Sequence, residues 1–455
     1  MQITEIGYIL FLLGLYAFFF NRKFLYDLVI FFVPFSATAV INIGSGENAS
    51  AIQPYMFFSS LWIFSLFLDS IIKRKQLKID RREYKPLFYL ILFSIIALLS
   101  LIMPIYIDGS ELGNISGKLD EEEYIRFSSR NVTQYIYLLL GILFSICIYK
   151  YNKNIENYRH TIKIVYYSIL FIIIWGFIEY LFKSMGIPPI DVLNNSAHGS
   201  SQGYLSVAAD DRLRIASVAV EASVFNQVVI LILPFIIWAI LDKRYIINRK
   251  MDYLYLVLAF IAIVLSASSS GLLAIVMLGF TIFMFKQKSL SLSRKIVYTI
   301  IFSLFAIAFV LFFMLFFNDL IQTMILDKSD SYSAMERLGN VIQAWNNFID
   351  YPLLGVGWGS VTSMDLIVKI LSNTGIIGGF VFISYLVSIF KNLWRQNSSL
   401  LVTENLKNPI TTTFILLIFF NIITGFSFIF GHSWLYLGLT MISVPIRKSQ
   451  HFENI

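Results

Sequence analysis

Residues 333–359 read SAMERLGNVIQAWNNFIDYPLLGVGWG and lie in the longest polar interruption, about 318–365, of an otherwise apolar chain. Ser333 and Glu336 have the Ser-x-x-Glu spacing of a capping box, which predicts that a helix begins there. Apolar residues then recur three and four positions apart, as on one stripe of a helix: Met335, Leu338, Val341, Ile342, Trp345, Phe348 and Ile349. The stretch therefore predicts an amphipathic surface helix and not a membrane span.

The end of this stretch and its one arginine each have a specific physical reading. Pro352 disfavours helix at Tyr351, and Gly355, Gly357 and Gly359 allow the backbone to bend or to approach a ligand closely. Arg337 lies in the first helical turn, where the helix dipole slightly disfavours a cation. Two interpretations stay open: the guanidinium pairs with a neighbouring acid or reaches lipid headgroups, or it binds an anion.

The composition defines the class of protein. Of 455 residues, 57% are hydrophobic and 14% are charged, whereas about a quarter of residues are charged in soluble domains. Apolar runs of roughly 20 residues recur along the whole chain, which predicts an all-α, polytopic helical membrane protein with a single integral membrane domain over residues 1–455. The first run has no basic segment before it, so we expect it to stay in the mature protein.

The apolar runs give about thirteen predicted transmembrane helices. Their approximate ranges are 4–20, 24–44, 53–72, 86–105, 133–150, 161–182, 222–241, 253–267, 270–285, 296–317, 366–390, 410–428 and 433–446.

The orientation follows from the distribution of lysine and arginine. Residues 73–85 hold seven basic residues in one short loop, and basic loops stay in the cytoplasm. The predicted outer segments are then 45–52, 106–132, 183–221, 318–365 and 429–432. Topology alone explains the net charge of +7, so it gives no reason to expect a nucleic-acid partner.

The second large outer loop, 183–221, supplies further candidate residues. Arg212 and Arg214 follow an aspartate pair, which leaves simple charge balance as one interpretation. Arg214 and Glu221 also lead directly into an apolar run, and an ionisable residue at that depth is a site hypothesis by default. Ser270 belongs to a short serine turn between two predicted spans, where serines either donate hydrogen bonds to a cavity or join helices.

Two other polar residues stand at predicted span ends. Asp365 precedes the span after the glycine motif, and His432 lies in the last outer turn, where a structural hydrogen bond is the simpler role. No cluster of residues has the spacing of metal ligands, so we expect neither a metal nor a cofactor.

Several of these motifs resemble the O-antigen polymerase (Wzy) and O-antigen ligase superfamily of GT-C-type membrane glycosyltransferases. They are Arg337 with its helix, the run Tyr351-Pro-Leu-Leu-Gly355-Val-Gly357-Trp-Gly359, the run Asn373-Thr-Gly375-Ile-Ile-Gly378, the pair Arg214 and Glu221, and the serine turn. The resemblance covers roughly residues 205–390. The serine turn lacks the arginine often found there, and Asp365 stands where ligases carry histidine, which favours a polymerase over a ligase.

The resemblance implies a metal-independent transferase that moves a growing glycan from undecaprenyl pyrophosphate to an undecaprenyl-pyrophosphate-linked repeat unit. Arg212, Arg214 and Arg337 would hold the pyrophosphate, because arginine binds phosphate bidentately, and Glu221 or Asp365 would act as base. Further substrate contacts are expected from Ser270, Gly355, Gly357 and His432.

The expected setting is the bacterial inner membrane with the site facing the periplasm, and the expected partners are lipid-linked oligosaccharide, the bilayer and a separate chain-length regulator. The alternatives are an O-antigen ligase that hands the glycan to lipid A core, and a flippase for lipid-linked oligosaccharide. Transporters often contain internal repeats, and the sequence shows none.

Overall fold

The computed structural model describes residues 2–44, 50–72, 81–110, 124–188, 192–197, 213–287, 291, 293–297, 299, 300, 303, 332–395, 406–425 and 428–441. Within these ranges the chain is almost entirely helical, which confirms the all-α class. The helices are α1 (Glu5–Phe20), α2 (Arg22–Phe32), α3 (Pro54–Ile72), α4 (Arg81–Ser100), α5 (Met103–Tyr106), α6 (Ser129–Tyr151), α7 (Ile155–Ser184), α8 (Ala222–Leu241), α9 (Arg249–Leu265), α10 (Ser269–Gln287), α11 (Tyr332–Asp350), α12 (Leu366–Arg395), α13 (Lys407–Thr424) and α14 (Gly431–Thr440).

Eight helices in the described ranges are long and apolar enough to cross a membrane: Pro54–Ile72, Tyr84–Tyr106, Ser129–Tyr151, Ile155–Ser184, Ala222–Leu241, Ser269–Gln287, Leu366–Trp394 and Lys407–Thr424. This confirms a polytopic membrane protein. Helices also form at the predicted spans 4–20 and 253–267, as α1 and α9, but they are shorter, with 16 and 17 residues. The span 296–317 and the end of span 433–446 lie mostly outside the described residues.

The predicted span 24–44 is wrong in its second half. Helix α2 ends at Phe32, and residues 33–40 are buried without regular structure. Pro34 lacks the N–H that would continue the helix, and partners distant in the sequence bind the backbone groups that follow. Ala37 donates its N–H to Val218 O at 2.9 Å and accepts from the Ser196 N–H at 3.1 Å. Buried irregular backbone is stable only with such partners.

A small sheet of three strands lies beyond this irregular segment. The strands are β1 (Gln2–Ile3), β2 (Ile41–Ile43) and β3 (Ser50–Ile52). Strand β2 pairs antiparallel with both neighbours, with Gln2 opposite Asn42 and Asn42 opposite Ala51. The sheet therefore holds the first residues of the chain beside the segment that leads into α3.

The loops predicted to face outward meet at one end of the bundle. The Asn131 amide at the start of α6 donates to Trp358 O at 2.8 Å, and the Tyr55 hydroxyl at the start of α3 donates to Ile429 O at 2.6 Å. At the opposite end, Lys286 lies 3.8 Å from the Asp242 carboxylate. This arrangement agrees with the predicted grouping of loops, while the compartment that each end faces stays a prediction.

Helix α8 forms the centre of the molecule. Nearly all of its side chains from Ala222 to Ile236 are buried, and it packs against α7, α9, α10 and α13. Because α8 begins at the same end as the outer loops, its first turn brings residue 221 to the middle of that end.

Candidate active site

Glu221 stands at the junction between an irregular segment and the central helix. It is the N-cap residue of α8, with an extended backbone, and its carboxylate accepts a hydrogen bond from the Ser223 hydroxyl. The segment before it is fixed by the Ser217 hydroxyl, which donates to Ile172 O at 2.7 Å, and by the Val220 N–H, which donates to the Ser36 hydroxyl at 3.1 Å. Glu221 is thus a half-buried carboxylate on a rigid element.

Arg214 lies next to the serine turn between α9 and α10. The N–H of the following residue, Ile215, donates to Leu265 O at 3.3 Å, and Leu265 is the last residue of α9. Within the turn, the hydroxyls of Ser268 and the buried Ser270 are 2.9 Å apart. The fold therefore brings the backbone at Arg214 to the turn that holds Ser270, as the sequence hypothesis requires.

Two polar residues of α8 that sequence reasoning missed lie one turn below Glu221. Asn226 is fully buried and accepts a hydrogen bond from the Ser266 hydroxyl at 2.9 Å, while its own Nδ2 has no hydrogen-bond partner. Gln227 donates to the Asn421 side chain on α13 at 3.3 Å. An Asn-Gln pair inside an apolar run was the signal that could have found them, since polar residues inside spans tend to be functional.

The glycine turn packs against protein on every side that its geometry reveals. Gly355 and Gly357 have positive φ, of 64° and 99°, and both are buried. A Cβ at Gly355 would lie 2.3 Å from Ser372 O, and a Cβ at Gly357 would lie 2.3 Å from Pro104 Cδ. These contacts explain why glycine is needed here, and they supply a structural role beside the predicted contact with substrate.

Asp365 caps the helix that follows the glycine turn. Its Oδ1 accepts the Val368 N–H at 2.8 Å, as an N-cap aspartate does. One turn into α12, the Lys369 ammonium lies 5.7 Å from the centre of the Phe428 ring, and the charge of Arg130 lies near enough to act on it. Sequence reasoning did not select these two cations for the site.

Arg337 lies in the first turns of α11, and the capping box predicted the start of this helix to within one residue, Tyr332. The side chains of Ser333 and Glu336 lie outside the described residues. Helix α11 packs on α12, and its Ala344 joins a small apolar cluster with Val356 and Val361 around the glycine turn. Half-buried Arg337 therefore belongs to the glycine-turn side of the outer end.

His432 is buried inside the bundle at the start of α14. It lines a small cavity with Ser168, Val228 and Tyr436, and its ring stacks on Phe430 with 5.5 Å between centroids. Neither ring nitrogen has a hydrogen-bond partner. These neighbours come from α7, α8 and α14, so the described contacts place His432 in the core, and its predicted contact with substrate stays a prediction.

The predicted site residues form two groups at the outer end. Arg214, Glu221 and Ser270 surround the start of α8, and Arg337, Asp365, Gly355 and Gly357 surround the start of α12. Helix α13 packs on α8 and α12, and its last glycine, Gly425, faces the backbone of Met364. The segment after α13 thus lies between the groups. Arg212 is outside the described residues.

In the described ranges, no group of three or more His, Cys, Asp or Glu side chains could hold a metal ion.

The fold and the loops define an α-helical, polytopic membrane protein with its candidate polar residues gathered at one end of the bundle. Residues 254–383 match the family model Wzy_C, whose description is O-antigen ligase. The match runs from α9 to the middle of α12 and includes Ser270, Arg337, the glycine turn and Asp365. It confirms the resemblance to the Wzy and O-antigen ligase superfamily, and no curated protein gave a significant match.

Proposed function

We propose that this protein is a polysaccharide polymerase that transfers a growing glycan from undecaprenyl pyrophosphate to an undecaprenyl-pyrophosphate-linked repeat unit. The observation that carries the proposal is the family match over residues 254–383, which covers one group of candidate residues. The fold adds the second group, around Arg214 and Glu221, at the same end of the bundle. In the proposed orientation, that end faces the periplasm.

The chemistry that these residues support is displacement at an anomeric carbon. The acceptor hydroxyl forms the new bond to that carbon, the bond between the carbon and the pyrophosphate oxygen breaks, and the polyprenyl pyrophosphate leaves with the electron pair. Arg214 and Arg337 stabilise the charge on the leaving pyrophosphate, because guanidinium groups bind phosphate oxygens in a fixed, bidentate geometry.

Glu221 takes the proton of the acceptor hydroxyl in this proposal. It is half-buried on the rigid first turn of α8. Asp365, the other candidate, already uses one carboxylate oxygen to cap α12, so we assign it the structural role.

A ligase is the second candidate, because the matching family model carries that description. The resemblance itself favours a polymerase, since Asp365 occupies the position where ligases carry histidine. Deletion of the gene distinguishes the two functions: loss of a polymerase leaves one repeat unit on the acceptor, and loss of a ligase leaves the acceptor bare.

The direct test uses purified protein in liposomes with defined lipid-linked repeat units. We expect a ladder of lengthened lipid-linked glycans without any lipid A core present. Transfer that requires lipid A core would replace the polymerase by the ligase. Movement of lipid-linked sugar across the bilayer without extension would replace both by a flippase.

A further inference from the structure

Helix α11 exposes its apolar residues and buries polar ones. Leu338, Ile342 and Ile349 are 61%, 51% and 58% exposed, whereas Asn347 on the other side is 1% exposed. A surface helix in water shows the reverse arrangement, with its apolar stripe against the protein. The exposed side of α11 is therefore suited to an apolar neighbour and not to water.

The direction of the buried side is set by contacts within the protein. Ala344 packs with Val356 and Val361, beside Ile107 at the end of α5. At 3.6 residues per turn, the exposed apolar residues fall within about 60° of one another; they are Leu338, Ile342, Trp345 and Ile349, and we call them the apolar stripe. Ala344 and Asn347 point away from that sector, so the glycine turn does not cover the apolar stripe.

The surface around the apolar stripe is the lipid-facing surface of the bundle. Helix α11 packs on α12, a membrane-spanning helix whose first turn exposes Ile367. The neighbouring α5 exposes Ile105, and Ile102 just before it is also exposed. The apolar stripe thus continues the surface that the membrane covers.

We propose that α11 lies in the membrane interface, with the apolar stripe inserted at the boundary of the acyl chains. Amphipathic helices lie in this plane when one face is apolar and the other is polar. The polar residues Asn346 and Asp350 are exposed on a flank beside the apolar stripe, where such a helix meets water. The occupant of the apolar face is the lipid bilayer.

This position fixes the depth of Arg337. It lies on the flank between the buried side and the apolar stripe, and it is half-buried. An arginine beside an inserted apolar face holds its guanidinium at the level of the headgroups. Lipid phosphates and the pyrophosphate of a lipid-linked sugar both lie at that level, so the bilayer itself positions Arg337.

The test uses the fact that Cys147 is the one cysteine of the sequence. In a Cys147→Ala background, single cysteines replace Leu338, Ile342 or Ile349 on the apolar stripe, and Asn346→Cys is the matched control on the polar flank. Each variant carries a bimane label in phosphatidylcholine liposomes. Quenching is measured with iodide in water and with doxyl-labelled lipids.

We expect labels on the apolar stripe to show several-fold weaker iodide quenching and several-fold stronger doxyl quenching than the label at Asn346→Cys. Equal iodide quenching at all positions would overturn the proposal, since α11 would then lie in water. Protection from both quenchers would overturn it in favour of a protein partner or a second copy. Three stripe positions keep the test valid if one variant fails to fold, and no substrate is needed, so the result is independent of the proposed polymerase activity.

Discussion

Arg337 has two physical interpretations that give different substitution series. An exposed pair with a neighbouring acid contributes at most about 1 kcal/mol, and both Arg337→Lys and Arg337→Ala would then polymerise almost normally. We expect instead that Arg337 binds pyrophosphate, so that Lys keeps the charge without the planar fork and Ala removes both. Loss of a transition-state contact of roughly 3–4 kcal/mol corresponds to about a hundredfold to a thousandfold in rate.

The measurement for Arg337 is the ladder of glycan lengths that each variant makes at matched abundance in the membrane. The expected order is wild type, then Lys much weaker, then Ala almost inactive. An unchanged ladder for Arg337→Ala would remove α11 from the proposed site.

Glu221 can be tested without disturbing its local hydrogen bond. In Glu221→Gln the side chain still accepts from the Ser223 hydroxyl, while the negative charge and the basic oxygen are lost. We expect this variant to accumulate normally and to lose at least about a hundredfold in polymerisation rate, the usual contribution of a general base. Ser223→Ala is the matched control, because it removes the hydrogen bond and keeps the carboxylate, and its loss should be much smaller.

The opposite interpretation of Glu221 is that its carboxylate only positions Arg214. In that case an acid introduced beside Arg214 should restore activity to Glu221→Gln, which a catalytic base would not allow.

Asp365 gives the complementary result if it is a helix cap. Asn and Ser are good N-cap residues, so Asp365→Asn and Asp365→Ser should polymerise like the wild type. Asp365→Ala should lower the free energy of unfolding by about 1 kcal/mol, measured by thermal denaturation in detergent. A stable but inactive Asp365→Asn variant would instead identify Asp365 as the base.

At the scale of elements, the glycine turn and α12 interlock through their backbones. Gly375 has φ 64° inside α12, and a Cβ there would lie 2.1 Å from Leu353 O. The helix break lets the Ile376 N–H donate to Pro352 O at 2.8 Å, and the Val356 N–H donates to Ser372 O at 2.8 Å. The two elements therefore hold each other in place only when glycine is present.

Substitution can separate backbone strain from this close approach. Gly109→Ala adds a side chain at φ 78° with no atom within 4 Å, so it should cost only the roughly 1–2 kcal/mol of a left-handed alanine. Gly375→Ala meets the same strain and a backbone clash, and we expect a clearly larger fall in the thermal midpoint and in membrane abundance. Equal effects of the two variants would show that the interlock does not stabilise the fold.

Local patterns predicted the features that depend on neighbouring residues. The capping spacing located the start of α11 to within one residue, and the glycines at 355–359 marked a turn with positive φ. The same patterns did not show that α2 ends at Phe32, because its successor is held by Val218 and Ser196, far along the chain. They also did not show whether the apolar side of α11 faces protein or lipid, since an apolar stripe suits either.

At the scale of the molecule, the outer end combines residues from distant parts of the sequence around the central helix. The N-terminal strand, the segment before α8, the serine turn and the glycine turn all meet there. Such an end is suited to chemistry on one face of the membrane. Alternating access would instead need a site near the middle of the bilayer between repeated halves.

The compartment of that end can be determined with the same cysteine-free background. The loop around Gln76 belongs to the segment with seven basic residues, which predicts the cytoplasm, and Ser329 belongs to the large loop predicted to be periplasmic. Both positions lie outside the described residues. In spheroplasts, a membrane-impermeant maleimide should modify Ser329→Cys, and it should modify Gln76→Cys only after lysis.

The reverse labelling pattern would turn the whole molecule over. Lipid-linked repeat units are polymerised at the periplasmic face in the proposed reaction, so an outer end that faced the cytoplasm would leave Arg214, Glu221 and Arg337 without their proposed substrate. The interfacial position of α11 would survive that result, because the apolar stripe of Leu338, Ile342, Trp345 and Ile349 suits the boundary of either leaflet. The labelling experiment therefore tests the function of the outer end separately from its contact with lipid.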